Sequence, residues 1–360
     1  MSESTGLSQL RARNYRVVQW ATGNIGLRSL RAAIEHPALT LAGLYVYSDA
    51  KAGRDAGELC GLPRTGVTAT RSIDDILTLG ADCVLYMPRQ TDVDDLCRLL
   101  ASGANVVTTR NDFHLPGRMD PELRRRIEDA CERGGSSIHS TGSSPGFITE
   151  AVPLVLTSIQ RRLDCLRIHE FADCSSRNSP EMIFRIMGFG QAPDPQAEAG
   201  RVHHLREAFG PSLQVVAEAL GMSFDGLDAW GDVAFARRRT TIAAGVIEAG
   251  TVGALRTTVC GTHKGKPLIS FTANWFVTTE LDKDWELRGD GWRLEVEGDA
   301  PLDMHLQFTV APEHKAATTP GYTAHRAVNA VPYVCDAAPG IRTSVQMPQI
   351  IADLREPGAR

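Results

Sequence analysis

The chain has 360 residues, 42% of them apolar and 22% charged, with a formal net charge of −5. That length leaves room for two domains with a sizeable core, and the composition is ordinary for a globular protein, so disorder is not the default. The acidic balance argues against nucleic acid or an anionic membrane as partner, since both select basic surfaces.

No apolar run approaches the roughly 20 residues that a membrane-spanning helix needs. The first fourteen residues, MSESTGLSQLRARN, lack the apolar core of a secretion signal and read as a loose tail. The eight cysteines are scattered, with no C-x-x-C pair and no Cys/His cluster at zinc spacing. The expectation is a cytoplasmic protein with reduced thiols and no structural metal.

Strands are predicted at 16–21, 40–47, 66–70, 82–87, 105–109 and 136–141, with helices between them. Ser72 precedes IDDILTL, with Asp75 three residues on, as in a capping box. Thr91 precedes DVDDLCRLLASG. Asp120-Pro121 opens ELRRRIEDACERGG, with proline at the start and glycines at the stop. Such alternation predicts an α/β unit with a parallel sheet covered by helices on both sides.

After about residue 160 the pattern changes. Helical stretches are predicted near 179–189 and 200–220. From about 237 the text reads as long strands, over RRTTIAAGVIEAG, GALRTTVCGT, PLISFTANWFVTTE, WELRGDGWRLEVEG and MHLQFTVAP, with HKGKP and RGDG as hairpin turns. This half reads as a second, α+β domain on a mixed, largely antiparallel sheet. The last 35 residues read as a helix broken by prolines that returns to the first domain. The expected division is 15–160, 161–324 and 325–360.

The turn after the first strand has the pattern A-x-G-x-x-G, at Ala21, Gly23 and Gly26. A glycine-poor strand followed by such a turn and a helix places free N–H groups and a positive dipole end where a pyrophosphate binds. Thr22, Gly23, Asn24 and Ile25 are therefore candidate dinucleotide contacts, and Ala21 departs from the usual first glycine. The end of the second strand selects the cofactor. There Ser48 stands near the position of the usual acid, followed by Asp49, Lys51 and Arg54. A small hydroxyl beside cations suits a 2′-phosphate, so NADP(H) is favoured; Asp49 leaves NAD(H) open.

WATGNIG, DAGELCG, NVVTT, STGSSPGF, MGFG and VNAVP…APGI occur in that order. Together they resemble the dihydrodipicolinate-reductase-like oxidoreductases, and more closely the branch of 2,4-diaminopentanoate dehydrogenase and the native amine dehydrogenases. The resemblance covers residues 15 to 348. It implies an N-terminal Rossmann domain, a mixed α/β substrate domain, a homodimer, and reversible hydride transfer between a nicotinamide and a carbon bearing an amine or imine. Dihydrodipicolinate reductase itself is argued against: its HHxxKxDxPSGT stretch corresponds to IHEFADCSSRNSPEM, where His169 stands alone and no lysine follows.

The amine dehydrogenases place an acid after the fifth strand, in text resembling TT-x-E-E. Here TTRNDFHLP puts Asn111 and Asp112 at the two acid positions. A carboxylate there can take a proton from an ammonium and stabilise an iminium. An asparagine can only orient a carbonyl, which suits an imine or carbonyl reductase. Asp112 equally suits a turn or helix-capping role. Ser143 and Ser144 are candidate donors to the nicotinamide carboxamide, with Phe147 near the ring and a helix opening at Pro145-Gly146. Pro88, after Met87, and Thr108 are candidate backbone contacts at strand ends. Glu170 and Asn178 are candidates to meet a substrate amine. FRIMGFG, 184 to 190, suits either a pocket wall or helix core. His325 and Asn329 share a helix face, and the resemblance has that segment close over the cofactor, which adds Asn329 to the cofactor set. The implied reaction is reductive amination of a ketone or aldehyde, with ammonia as partner. The alternatives are ammonia-independent reduction and a non-catalytic dinucleotide-binding sensor.

Overall fold

The structure, a computed structural model, describes residues 13–355. It divides into two compact units, one holding the chain up to Phe147 together with the segment from Thr319, the other Ile148–Thr318. The sequence-based boundaries at 160 and 324 fall later in the chain than these divisions. Of the expected tail, residues 1–12 lie outside the described residues. Arg13 and Asn14 are fixed, Arg13 pairing with Asp82 at 2.8 Å and Asn14 donating to Thr40 at 2.9 Å.

The first unit runs β1 (Tyr15–Trp20), α1 (Asn24–Glu35), β2 (Leu39–Tyr45), α2 (Ala56–Leu59), β3 (Ala69–Thr70), α3 (Ile73–Leu77), β4 (Cys83–Tyr86), α4 (Val93–Ala101), β5 (Asn105–Thr108), α5 (Pro121–Gly134) and β6 (Ser137–Ser140). Ser72 caps α3 by accepting from the Asp75 N–H at 3.1 Å. Asp120 caps α5 by accepting from Leu123 at 2.9 Å, and Gly135 ends that helix at φ 62°. The expected start of α4 is corrected by one residue. Asp92, not Thr91, accepts from Asp95 at 3.0 Å, and Thr91 is used elsewhere. The strand expected over 66–70 shortens to two residues, and α2 went unpredicted; four residues carry too little periodicity to read.

The second unit begins with α6 (Val152–Thr157), β7 (Leu163–Asp173), a wide helical segment Glu181–Ile186 and α7 (Pro195–Ala219). It continues with β8 (Gly226–Phe235), β9 (Thr240–Ile242), β10 (Gly245–Ile247), β11 (Val252–His263), β12 (Lys266–Phe276), β13 (Gly291–Gly298) and β14 (Leu302–Gln307). Its main sheet has the order β14-β13-β7-β12-β11-β8, parallel only between β12 and β7. This is the mixed, largely antiparallel sheet expected. HKGKP is the hairpin turn between β11 and β12: Lys264 and Gly265 both take left-handed φ, 52° and 70°. RGDG is not a hairpin, because residues 285–290 form no strand and β13 begins at Gly291. The long strand expected over 238–250 is instead the two-stranded ribbon β9–β10. β8 was missed, for half-covered edge residues dilute its alternation. Phe209 of α7 stacks on Phe271 of β12 at 3.9 Å, so α7 covers one face of the sheet.

The chain then forms α8 (Lys315–Cys335), with Pro320 and Pro332 inside it, and β15 (Gly340–Arg342). β15 adds to the first unit's sheet, giving the all-parallel order β15-β6-β5-β4-β1-β2-β3. Ala327, Val328 and Val331 of α8 pack with Val17, Leu85 and Val107 on one side of this sheet. Leu96, Leu99 and Ile127 of α4 and α5 cover Val18, Val84 and Val106 on the other. Near-continuous burial on both faces is what fixes these strands as parallel and central.

Candidate cofactor and active site

The first unit brings its candidate residues to the carboxyl ends of parallel strands, where such sheets bind ligands. Ala21 leaves β1 in the left-handed region at φ 72°. The buried Gln19 side chain supports this bend, donating from Nε2 to the Ala21 carbonyl at 3.0 Å. A Cβ on Gly26 would lie 2.3 Å from that same carbonyl, so only glycine lets α1 pack against the turn. A Cβ on Gly23 would meet nothing within 4 Å. No side chain caps α1, and Thr22 is buried while Gly23 and Asn24 are exposed and Ile25 half-buried. Open space over uncapped N–H groups fits a dinucleotide pyrophosphate.

After β2, Ser48 is exposed and Asp49 forms an ion pair with Arg71. Lys51 donates from Nζ to the Thr22 carbonyl at 2.9 Å and to its hydroxyl at 3.0 Å, tying this loop to the turn. Arg54 is exposed. Met87 and Pro88 are buried at the end of β4. Thr108 is buried at the end of β5, its hydroxyl accepting from the Arg110 N–H at 3.1 Å.

The next residues form a single helical turn, Asn111–Phe113. Asp112 accepts from the Thr91 hydroxyl at 2.7 Å and from Arg110 Nε at 3.0 Å. Its side chain is 38% exposed. Asn111 is half-buried. Sequence reasoning passed over Arg110 and Thr91, although an arginine two residues before the acid was the available signal.

After β6, Ser143 shares a hydrogen bond of 2.7 Å with Thr323 of α8. The Ser144 and Thr141 hydroxyls are buried without a hydrogen-bond partner among the described residues. Two orphaned hydroxyls at a strand end fit a carboxamide that needs donors and acceptors. The helix expected to open at Pro145-Gly146 begins later, because Gly146 sits at φ 116° and ψ −79°, outside helical geometry. Arg326 lies over the Phe147 ring at 5.8 Å. Asn329 is half-buried on α8, and His325 one turn before it is exposed.

In the second unit, Glu170 of β7 is held by two indoles: Trp275 Nε1 donates to it at 3.3 Å and Trp292 Nε1 at 3.1 Å. These donors come from the flanking strands β12 and β13, and only the strand register shows them. His169 points the other way and hydrogen-bonds Glu295 at 3.0 Å. Burial pushes the His169 pKa below its ordinary value, against the pull of Glu295. Asn178 is exposed in a loop. Among the described residues no helix is long and apolar enough to cross a membrane, and no cluster of three His, Cys, Asp or Glu is placed to hold a metal.

Residues 149–356 match the family model of the 2,4-diaminopentanoate dehydrogenase C-terminal domain. The chain is 30% identical over 343 residues to an amine dehydrogenase of Streptomyces virginiae, covering 92% of this chain and 95% of that one. The fold is similar to an amine dehydrogenase structure from Mycobacterium smegmatis, with a TM-score of 0.75 at 19% identity, over 95% of this chain and 98% of that one. A probable dehydrogenase from Thermotoga maritima is similar in fold at a TM-score of 0.56 and 12% identity, over 92% of each chain. With the family model matched over residues 149–356 and a 30% identical amine dehydrogenase covered over 92% of this chain, the chain belongs to the 2,4-diaminopentanoate dehydrogenase and amine dehydrogenase family of oxidoreductases.

Proposed function

We propose that the protein is an NAD(P)H-dependent amine dehydrogenase that catalyses reversible reductive amination of a ketone or aldehyde. The observation that carries this reading is the Asp112 carboxylate, fixed by Arg110 and Thr91 on the loop after β5, in a sheet whose first turn is shaped for a dinucleotide. When bound, the nicotinamide exchanges a hydride with the substrate carbon.

Thr22, Gly23, Asn24 and Ile25 hold the pyrophosphate. Ser48, Lys51 and Arg54 line the adenosine ribose, where a small hydroxyl beside cations favours NADP(H) over NAD(H). Pro88, Thr108 and Asn329 flank the nicotinamide half, and Ser143 and Ser144 orient its carboxamide.

In the oxidative direction Asp112 takes the proton of the substrate ammonium, leaving a neutral amine whose lone pair stabilises the cation formed at carbon. After that proton passes to solvent, the regenerated carboxylate faces the positive iminium and accepts a proton from the attacking water. Arg110 and Thr91 keep its oxygens oriented. Glu170, held between two indole donors, is the next candidate for the substrate amine. Family membership supports a homodimer, with ammonia as co-substrate in the cytoplasm.

A second reading, as an imine or carbonyl reductase, is favoured by one observation: the Asp112 carboxylate is already neutralised by Arg110, which leaves Asn111 beside it to orient a carbonyl. NADPH oxidation with a panel of ketones separates the two. The amine dehydrogenase reading expects turnover only with ammonium present. Turnover independent of ammonium selects the reductase, and steady absence of turnover with any carbonyl selects a dinucleotide-binding sensor.

A further inference from the structure

We propose that Arg71 and Asp49 together read the 2′ position of the cofactor ribose, Arg71 taking the 2′-phosphate of NADP(H) and Asp49 the 2′-hydroxyl of NAD(H). This rests on the dinucleotide reading above.

Strands β2 and β3 are parallel neighbours, with Tyr45 opposite Thr70 and the Val46 N–H donating to the Thr70 carbonyl at 2.9 Å. Arg71 is the first residue past β3, and Asp49 lies in the loop past β2. The two therefore meet at the carboxyl ends of adjacent strands, on the side of the sheet that takes ligands, and they form an ion pair there.

The nearer cation in sequence, Lys51, is already engaged. Two of its three donors go to Thr22, so beside the ribose it chiefly holds the loop on the β1–α1 turn. Arg71 differs. Its fork carries five donors, its side chain is 49% exposed, and the pair with Asp49 uses one nitrogen, Nη1. A guanidinium so placed matches a phosphate bidentately. The Asp49 side chain is 85% exposed, and its second oxygen remains to accept from a ribose hydroxyl.

A phosphate drawn to Arg71 competes with Asp49 for the same guanidinium and is repelled by its charge. With NAD(H), Arg71 stays on Asp49 and steadies it as an acceptor. The pair thus permits both cofactors and sets their ratio.

The test is equilibrium titration of NADPH and NADH on the wild-type protein and three variants, each first shown to be folded by its thermal unfolding. Arg71→Ala is expected to weaken NADPH by about tenfold or more and to leave NADH within about twofold. Asp49→Asn is expected to weaken NADH and to leave NADPH unchanged or tighter. Lys51→Ala is expected to weaken both cofactors alike, because it loosens the shared turn. Equal loss of both cofactors in Arg71→Ala, or no loss of either, overturns the assignment while leaving the dinucleotide site standing. A wild-type protein that binds neither cofactor overturns the dinucleotide reading, and the assignment with it.

Discussion

Ala21 stands where the turn needs a residue at φ 72°. A Cβ there costs about 1–2 kcal/mol relative to glycine. Ala21→Gly is expected to raise the stability of the first unit by about 1 kcal/mol, less the entropy that glycine adds to the unfolded chain; a melting temperature that falls would contradict it. Asp112 makes the sharper test. Proton transfer by a positioned group typically contributes about 10²–10⁴-fold, so Asp112→Asn is expected to cut amine oxidation by at least about a hundredfold with NADPH affinity nearly unchanged. If Asp112 proves dispensable and Asn111→Glu raises amine turnover, the reductase reading gains. If neither change moves turnover, the site lies elsewhere, and Glu170 is the next residue to test.

At the scale of the element, α1 depends on one close approach. The Cβ of alanine at position 26 would sit 2.3 Å from the Ala21 carbonyl, a distance that forces either the turn or the helix to move. Gly26→Ala is therefore expected to weaken NADPH and NADH together, and to cost about 1–3 kcal/mol of stability as overpacking does, read as a lower melting temperature. A variant with unchanged melting and unchanged affinity for both cofactors would show that α1 does not rest on that turn. The comparison with Gly23 is a useful contrast, because a side chain there meets no protein atom. Its cost falls on the ligand alone.

Across the whole molecule, buried histidines and paired carboxylates lose their stabilisation in different pH windows. His36, just past α1, accepts from the Ala38 N–H on Nδ1 at 3.1 Å, and burial holds its pKa below the ordinary value. A base with a lowered folded pKa leaves the unfolded chain binding more protons, so its stabilisation is complete above about pH 6.5 and is lost as pH falls through the folded value. In the second unit, Arg293 beside Asp303 holds that carboxyl down to about 2. Its stabilisation is present above the ordinary carboxylate range and is lost only as pH falls from about 4 towards 2. Thermal stability is thus expected to fall first below about pH 6.5, where His169 and His325, also lowered by desolvation, act in the same direction, and His36→Gln is expected to reduce that limb while leaving the Asp303 limb intact. An unchanged pH profile in His36→Gln would sink the assignment.

The parallel sheet, its helix caps at Ser72 and Asp120, the glycine turn and the hairpin at Lys264-Gly265 were legible because each is a local event: a period, a cap or a φ that neighbouring residues set. The family resemblance was legible for the same reason, since its motifs are short and ordered. What the chain order could not show is who meets whom across strands. Lys51 and Arg54 look equivalent in the text, yet Lys51 folds back on Thr22, while Arg71, twenty residues further on, reaches Asp49. Asp112 looked like a bare acid, and the tertiary structure gives it Arg110 and Thr91. Glu170 owes its two indole donors to the register of β7 between β12 and β13. Local geometry follows from adjacent residues, whereas charge pairing follows from strand order and register, which the chain settles only when its distant segments have packed.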